Sequence, residues 1–167
     1  MLKNYFDEDK YLKIKESDNL IYKALEIVTT LFETDLDKGG MPYMLHLLYV
    51  YKKVSNFDEK VVALLHDTIE DKEVTEKDLV EIGFPKEIVN SVLVLTRSKN
   101  DDYNSYIDKI IKNGNITALH VKLADLENNM DISRIKNPTV KDIERVEKRY
   151  HKAYEKIMNR LEEIEKW

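Results

Sequence analysis

The segment VVALLHDTIED, residues 61–71, decides how the rest of the chain is read. Five apolar residues, Val61 to Leu65, run directly into His66, Asp67, Glu70 and Asp71. On an α-helix those four polar groups fall at about 0°, 100°, 40° and 140°, so they share one side. The apolar residues, with Ile69, surround the same helix instead of forming a stripe, which is the pattern of a buried helix. An ionised carboxylate carried inward without a partner is costly. A cation held by imidazole and carboxylate together would remove that cost, provided further ligands arrive from elsewhere. The plainer reading is the solvated end of a partly buried helix.

Two other polar residues lie in apolar surroundings. Asp125, in ITALHVKLADLENN (116–129), has apolar neighbours on every side of its helix, and the polar run Glu127-Asn128-Asn129 follows at once. It reads equally as an interior carboxylate or as an approaching helix end. His46, in PYMLHLLYVY (42–51), sits among Met44, Leu45, Leu47, Leu48 and Val50. It is either a hydrogen-bonded core histidine or a ligand. His120 has no acidic neighbour close in sequence, and His151 lies in the charged stretch KRYHKAYEK, so both are assigned to structure.

Composition sets the frame. A length of 167 residues is close to one domain, taking roughly 150 residues as a soft prior. Hydrophobic residues make up 43% and charged residues 35%, the balance of a globular chain with a well-solvated surface. With no cysteine, a disulfide framework, a thiolate metal site and a cysteine nucleophile are all excluded. Basic residues are interspersed among acidic ones at a net charge of −5, which argues against binding to duplex nucleic acid. Neither a secretory signal nor a membrane span is read, and a cytoplasmic setting is expected.

Helical periodicity dominates, and glycine and proline are sparse. Helices are expected over 19–32 with Ser17 as cap, 43–54 after Pro42, and 59–71 with Asp58 as cap. A further helix opens at Thr75, with Asp78 completing an approximate capping box, and stops at Gly83. Pro85 opens the helix that follows, over 86–96. Two more cover 103–113 and 115–129, and the last runs over 141–166 with Thr139 as cap. The expectation is one all-α domain of seven or eight helices over residues 1–167, a single compact bundle.

The order PYMLH (42–46), LLHDTIED (64–71), KLADLENN (122–129) resembles the His-Asp (HD) metallohydrolase superfamily. Within it the chain is similar to the RelA/SpoT-type hydrolase domain and its small stand-alone relatives. The likeness extends through LTR (95–97) and DISRI (131–135) and covers about residues 20–160. It implies an all-α fold holding one divalent ion, usually manganese or another first-row metal, with His46, His66, Asp67 and Asp125 as ligands. Glu70 and Asp71 match the family's Glu-Asp pair, which handles the attacking water. By position, Lys38 and Arg97 would meet phosphate, and Asn129 the ribose or another hydrogen-bonding group of the ligand, while Lys122 would either reach the site or pair with a core carboxylate. Tyr43 and Tyr103 read as packing residues beside the pocket, and Arg134 as a surface ion pair.

The activity implied is removal of pyrophosphate from the 3′ position of guanosine tetra- or pentaphosphate, so the partner is a small nucleotide. The fold alone does not fix the substrate, because relatives remove phosphate from other nucleotides, including NADPH. The rival readings are a phosphatase of deoxynucleotides or NADPH, and a nucleotide-binding module without turnover. The chain departs from the pattern of the long enzymes at three places. Leu47 stands for a proline, Leu126 for an arginine, and ETDLDKGG (33–40) for a basic, glutamine-containing signature. These departures are similar to the stand-alone branch, and no synthetase domain is expected.

Overall fold

The computed structural model describes residues 1–166, and no β-strand occurs among them. Its helices are α1 (Glu8–Glu16), α2 (Leu20–Leu31), α3 (Met44–Lys53), α4 (Phe57–Leu65) and α5 (Thr68–Asp71). They continue through α6 (Glu76–Glu81), α7 (Lys86–Leu95), α8 (Tyr103–Asn113) and α9 (Ile116–Met130) to α10 (Val140–Arg145) and α11 (His151–Glu165). Two central helices organise the packing. α4 touches α2, α3, α7 and α9, while α9 also touches α7, α8 and α11. Val61 through Leu65 are fully buried, so α4 is enclosed on all sides as its composition requires.

Several expected boundaries move. Asn19, not Ser17, caps α2 through its side chain and the amide of Tyr22. Asn56, not Asp58, caps α4. Glu59 closes a capping box by accepting from the amides of Ser55 and Asn56, which starts the helix two residues earlier than expected. Pro85 is the cap of α7 and not part of its first turn. Helix α1 was not expected, because only Tyr11 and Ile14 of its charged sequence are buried. The Thr75/Asp78 and Thr139/Asp142 capping boxes both form.

The helix expected over 59–71 is interrupted where the polar cluster begins. α4 ends at Leu65 and His66 is its C-cap. Asp67 takes φ −99° and ψ −1°, the sparsely populated bridge region that often carries active-site residues. The Thr68 hydroxyl donates to the Leu65 carbonyl at 2.7 Å, and the one-turn helix α5 follows. The last helix is also divided, by a π-helical turn over Val146–Tyr150.

Buried polar residues tie the periphery to the core. Lys23 donates to the carbonyls of Lys15 at 2.8 Å and Ile82 at 2.7 Å, joining the ends of α1 and α6 to α2. Buried Glu59 accepts from His120 at 2.6 Å, a link across 61 residues that accounts for His120. His151 is exposed. No helix among the described residues is long and apolar enough to cross a membrane.

Candidate metal centre and cleft

The break after α4 turns His66 into the interior. Its Nδ1 lies 2.8 Å from the Ala63 carbonyl, which accepts its N–H, so that in the neutral ring Nε2 carries the lone pair. That Nε2 is buried and has no hydrogen-bond partner. Helix α3 supplies His46 by the same logic, with Nδ1 2.7 Å from Oδ1 of buried Asn128 on α9. The two rings approach to 5.4 Å between centroids, tilted by 56°. Asp125 arrives from α9, one turn before Asn128, and is 4% exposed, which settles its even reading in favour of the interior.

The ligand atoms of His46, His66 and Asp125 all lie within 4.8 Å of one another. Asp125 Oδ1 is 3.4 Å from His46 Nε2 and 4.0 Å from His66 Nε2. Asp67 Oδ2 is 2.9 Å from His66 Nε2 and 3.6 Å from His46 Nε2. Two imidazoles, each with one nitrogen engaged from behind and the other free, thus face two carboxylates. An orphaned buried acceptor calls for a partner. A divalent cation fits it, since neutral imidazole and carboxylate suit borderline first-row metals and no thiolate is present. His46, His66 and Asp125 therefore form a buried group able to hold a metal ion.

Electrostatics point the same way. Burial opposes a charge on His66, yet the adjacent Asp67 and then Asp125 outweigh it and raise the imidazole to about 9. Burial also opposes ionisation of Asp67 and Asp125. Asp67 is nevertheless held low by His66 and His46, and Asp125 by Lys122 and the two histidines. Positive charge is what this cluster lacks, and a cation supplies it.

Around the centre lies an open cleft of about 460 Å³ whose walls include Asp67, Glu70, Asp71, Arg97, Lys122 and Asn129. The structure places Lys38 there as well, at the junction with a second lobe lined by Leu36, Ile135 and Val146. Lys122 donates to Asp125 at 2.6 Å and lies over the Tyr106 ring at 5.2 Å, so it both pairs with the carboxylate and faces the cleft. Asn129 donates its side-chain amide to Asp125 Oδ1. Glu70 accepts from the backbone amide of Arg97 at 2.9 Å, and the Arg97 Nε is 3.6 Å from its other oxygen. Asp71 is exposed at the edge of the cleft, where desolvation, then repulsion from Asp67 and Glu70, raises it to about 6.

Sequence reasoning missed or misplaced several residues. Asn128 was not singled out, because its contact with His46 exists only once α9 is packed against α3. Tyr43, read as a packing residue, donates its hydroxyl to Asp67 Oδ2 at 2.7 Å. Burial, then the Asp67 charge, raises its pKa well above the ordinary tyrosine value, so it stays a donor. Tyr103 does pack, but its hydroxyl is buried without a partner at the cleft wall. Arg134 makes its ion pair, to Asp37 at 3.0 Å, yet the pair lines the second lobe of the cleft. Arg145, Arg149 and Tyr150 also line the cleft, and nothing local in the sequence of the last helix marks them.

The all-α bundle is a fold shared with a solved structure. Comparison with known proteins bears out the resemblance read from the motifs. A solved structure, described as a metazoan ortholog of SpoT that hydrolyzes ppGpp and plays a role in starvation responses, superposes with a TM-score of 0.68. That likeness has 20% identity and covers 87% of this chain and 86% of the other. In sequence the chain is 30% identical over 126 residues to a guanosine-3′,5′-bis(diphosphate) 3′-pyrophosphohydrolase of Borreliella burgdorferi. The match takes in 66% of this chain but spans only 18% of that relative's length. No family model matches.

Proposed function

We propose that the chain is a single-domain, metal-dependent nucleotide phosphohydrolase that removes pyrophosphate from the 3′ position of guanosine 3′,5′-bis(diphosphate). The observation that carries the reading is the convergence of two free imidazole nitrogens on Asp67 and Asp125 at the floor of a cleft with cationic side chains in its walls. In this reading His46, His66, Asp67 and Asp125 hold the ion, with Mn²⁺ as the first choice. The relatives' printed activities supply the substrate, and a cytoplasmic setting suits a small soluble nucleotide.

When bound, a divalent cation supplies Lewis acidity to a phosphoryl oxygen and acidity to water. The chain's own residues do the rest. Glu70 is engaged by Arg97, whereas Asp71 is exposed and its pKa is raised towards neutrality, so Asp71 takes the proton from the attacking water. Glu70 fixes Arg97 at the cleft wall, where the guanidinium meets phosphate oxygens. Lys122 and Asn129 hold Asp125 in place and face the same space. Tyr43 donates to Asp67 and fixes its rotamer. In net terms water adds across the bond between phosphorus and the ribose 3′ oxygen, giving pyrophosphate and a free 3′ hydroxyl. Lys38 and Arg97 neutralise the departing charge.

A panel of nucleotides incubated with the Mn²⁺-loaded protein, assayed for both phosphate and pyrophosphate, tests this. Pyrophosphate release from guanosine tetraphosphate is expected. Release of phosphate alone from NADPH or a deoxynucleotide would overturn the substrate assignment and leave the hydrolase. Tight nucleotide binding with no turnover at any divalent ion would overturn the hydrolase.

A further inference from the structure

Helix α5 is a single turn, closed by the amides of Asp71 and Lys72, which donate to the carbonyls of Asp67 and Thr68 at 2.9 and 3.2 Å. A helix that short does not hold itself together and needs support from outside. At its far end the support is Lys72, the C-cap. The Lys72 amine donates to Asp35 Oδ2 at 2.7 Å and stands 4.7 Å from the centroid of the Phe32 ring, with 17% of the side chain exposed. Phe32, buried at the end of α2, stacks on Tyr43 with centroids 5.0 Å apart and planes inclined by 18°. Tyr43 donates its amide to the Asp35 carbonyl at 2.8 Å and its hydroxyl to Asp67 Oδ2 at 2.7 Å.

These contacts close a ring that runs from Asp67 along α5 to Lys72, then through Phe32 and Tyr43 back to Asp67. Its members come from the end of α2, the start of α3 and both ends of α5, so no local preference explains it. Nor does stability, since a lysine paired with a half-exposed aspartate contributes little. What the ring fixes is position. Asp67, with its bridge-region backbone, is held from two sides, by α5 and by Tyr43. Glu70 and Asp71 ride on the same turn. Among the described residues, Lys72, Phe32 and Asp35 stand outside the walls of both lobes of the cleft, so their influence on a nucleotide there is indirect.

We propose that Lys72 is a positioning residue: laid over Phe32 and paired with Asp35, it clamps the Phe32–Tyr43 stack against Asp67 and fixes α5 beside it. This deepens the nucleotide-hydrolase reading and, for its kinetic consequences, rests on it. The lysine touches no substrate and acts through the ring alone. Because the ring is one unit, opening it at any single contact releases Asp67 and the turn that carries Glu70 and Asp71 together.

Kinetics of Lys72→Met and Lys72→Arg on guanosine tetraphosphate at saturating Mn²⁺, together with calorimetric Mn²⁺ titrations, test the clamp. In Lys72→Met kcat falls about 10–100-fold with KM within about twofold, because α5 is misplaced while no substrate contact is removed. Mn²⁺ affinity falls about tenfold, the scale of a lost partner behind a metal ligand. Lys72→Arg keeps a cation that stacks on the ring and retains most of both. Lys23→Met, which removes a buried lysine remote from the cleft, lowers Tm but leaves kcat and Mn²⁺ affinity as they were. In the double variant Lys72→Met/Tyr43→Phe the loss of kcat matches the larger single loss, since the ring is already open. Unchanged kcat and Mn²⁺ affinity in Lys72→Met would overturn the clamp. So would equal losses in Lys72→Met and Lys23→Met, or a double-variant loss equal to the product of the two single losses. If Lys72→Met fails to fold, Lys72→Gln carries the same comparison. If the wild-type protein turns over no nucleotide, the hydrolase reading fails by itself and the Mn²⁺ titrations decide the clamp. A weaker Mn²⁺ affinity in Lys72→Met that Lys72→Arg restores then supports it, and an unchanged affinity, or no Mn²⁺ binding by the wild type, overturns it.

Discussion

The Nδ1 of His46 on α3 lies 2.7 Å from the side-chain oxygen of Asn128 on α9, and both residues are buried. This contact fixes the imidazole tautomer and aims the opposite nitrogen at Asp67 and Asp125. Asn128→Leu removes the acceptor and frees the ring. Divalent-ion affinity, followed by titration, is expected to fall about 10–100-fold while the helical content is kept. Asn128→Asp, which still accepts, should retain most of the affinity.

His66 gives a test of the ion by stability. A ligand bound only by the folded state at about 100 times its Kd stabilises by about 2.7 kcal/mol. For a chain of this size that corresponds to a rise in Tm of about 5–10 °C. Mn²⁺ should therefore raise the Tm of the wild-type protein, with no such rise in His66→Ala or Asp125→Asn. An unchanged Mn²⁺ response in either variant would place the ion elsewhere.

Asp71 sets the expected acid limb of activity. A base works deprotonated, so the rate should climb as pH rises through its pKa, which desolvation and repulsion from Asp67 and Glu70 raise to about 6. A cation held at Asp67 offsets part of that repulsion, which moves the limb of the loaded enzyme below this value. Asp71→Asn should abolish the limb and lower kcat by about 10²–10⁴-fold. Persistence of the same limb in that variant would transfer the role to another group.

Gly83 and Lys23 form a structural test away from the cleft. Gly83 takes φ +99°, and a Cβ there would sit 2.8 Å from the Lys23 amine that bridges Lys15 and Ile82. Gly83→Ala should cost about 1–3 kcal/mol in a denaturant titration, from backbone strain and displacement of the buried amine together. Lys23→Met orphans two carbonyls and should cost a similar amount. The double variant should lose less than the sum, because both changes damage one contact.

The motif residues show how far a sequence reaches. Helical periodicity around Val61–Leu65 and Ile116–Leu126 identified the two central helices, because a helix that is apolar all round has to be enclosed by others. The order of His46, His66-Asp67 and Asp125 pointed to a metal centre through its resemblance to the His-Asp superfamily. Capping boxes at Thr75 and Thr139 were legible because they are local hydrogen-bond patterns three residues apart.

Contacts between distant segments were not legible. Nothing near Asn128 in the chain points to His46, 82 residues away, and nothing near Tyr43 points to Asp67. The break between Leu65 and Thr68 escapes a helical wheel, which assumes that the helix continues. Arg149 reads as one more surface charge in a basic stretch until a π-turn rotates it onto Tyr103. The sequence by itself determined the all-α class, the central helices and the identity of the interior polar residues, all of which follow from local periodicity and residue chemistry. Only the tertiary structure decided which imidazole nitrogen is free, which carboxylate is engaged, and which cations share the cleft. Those depend on distances between helices that no local pattern encodes.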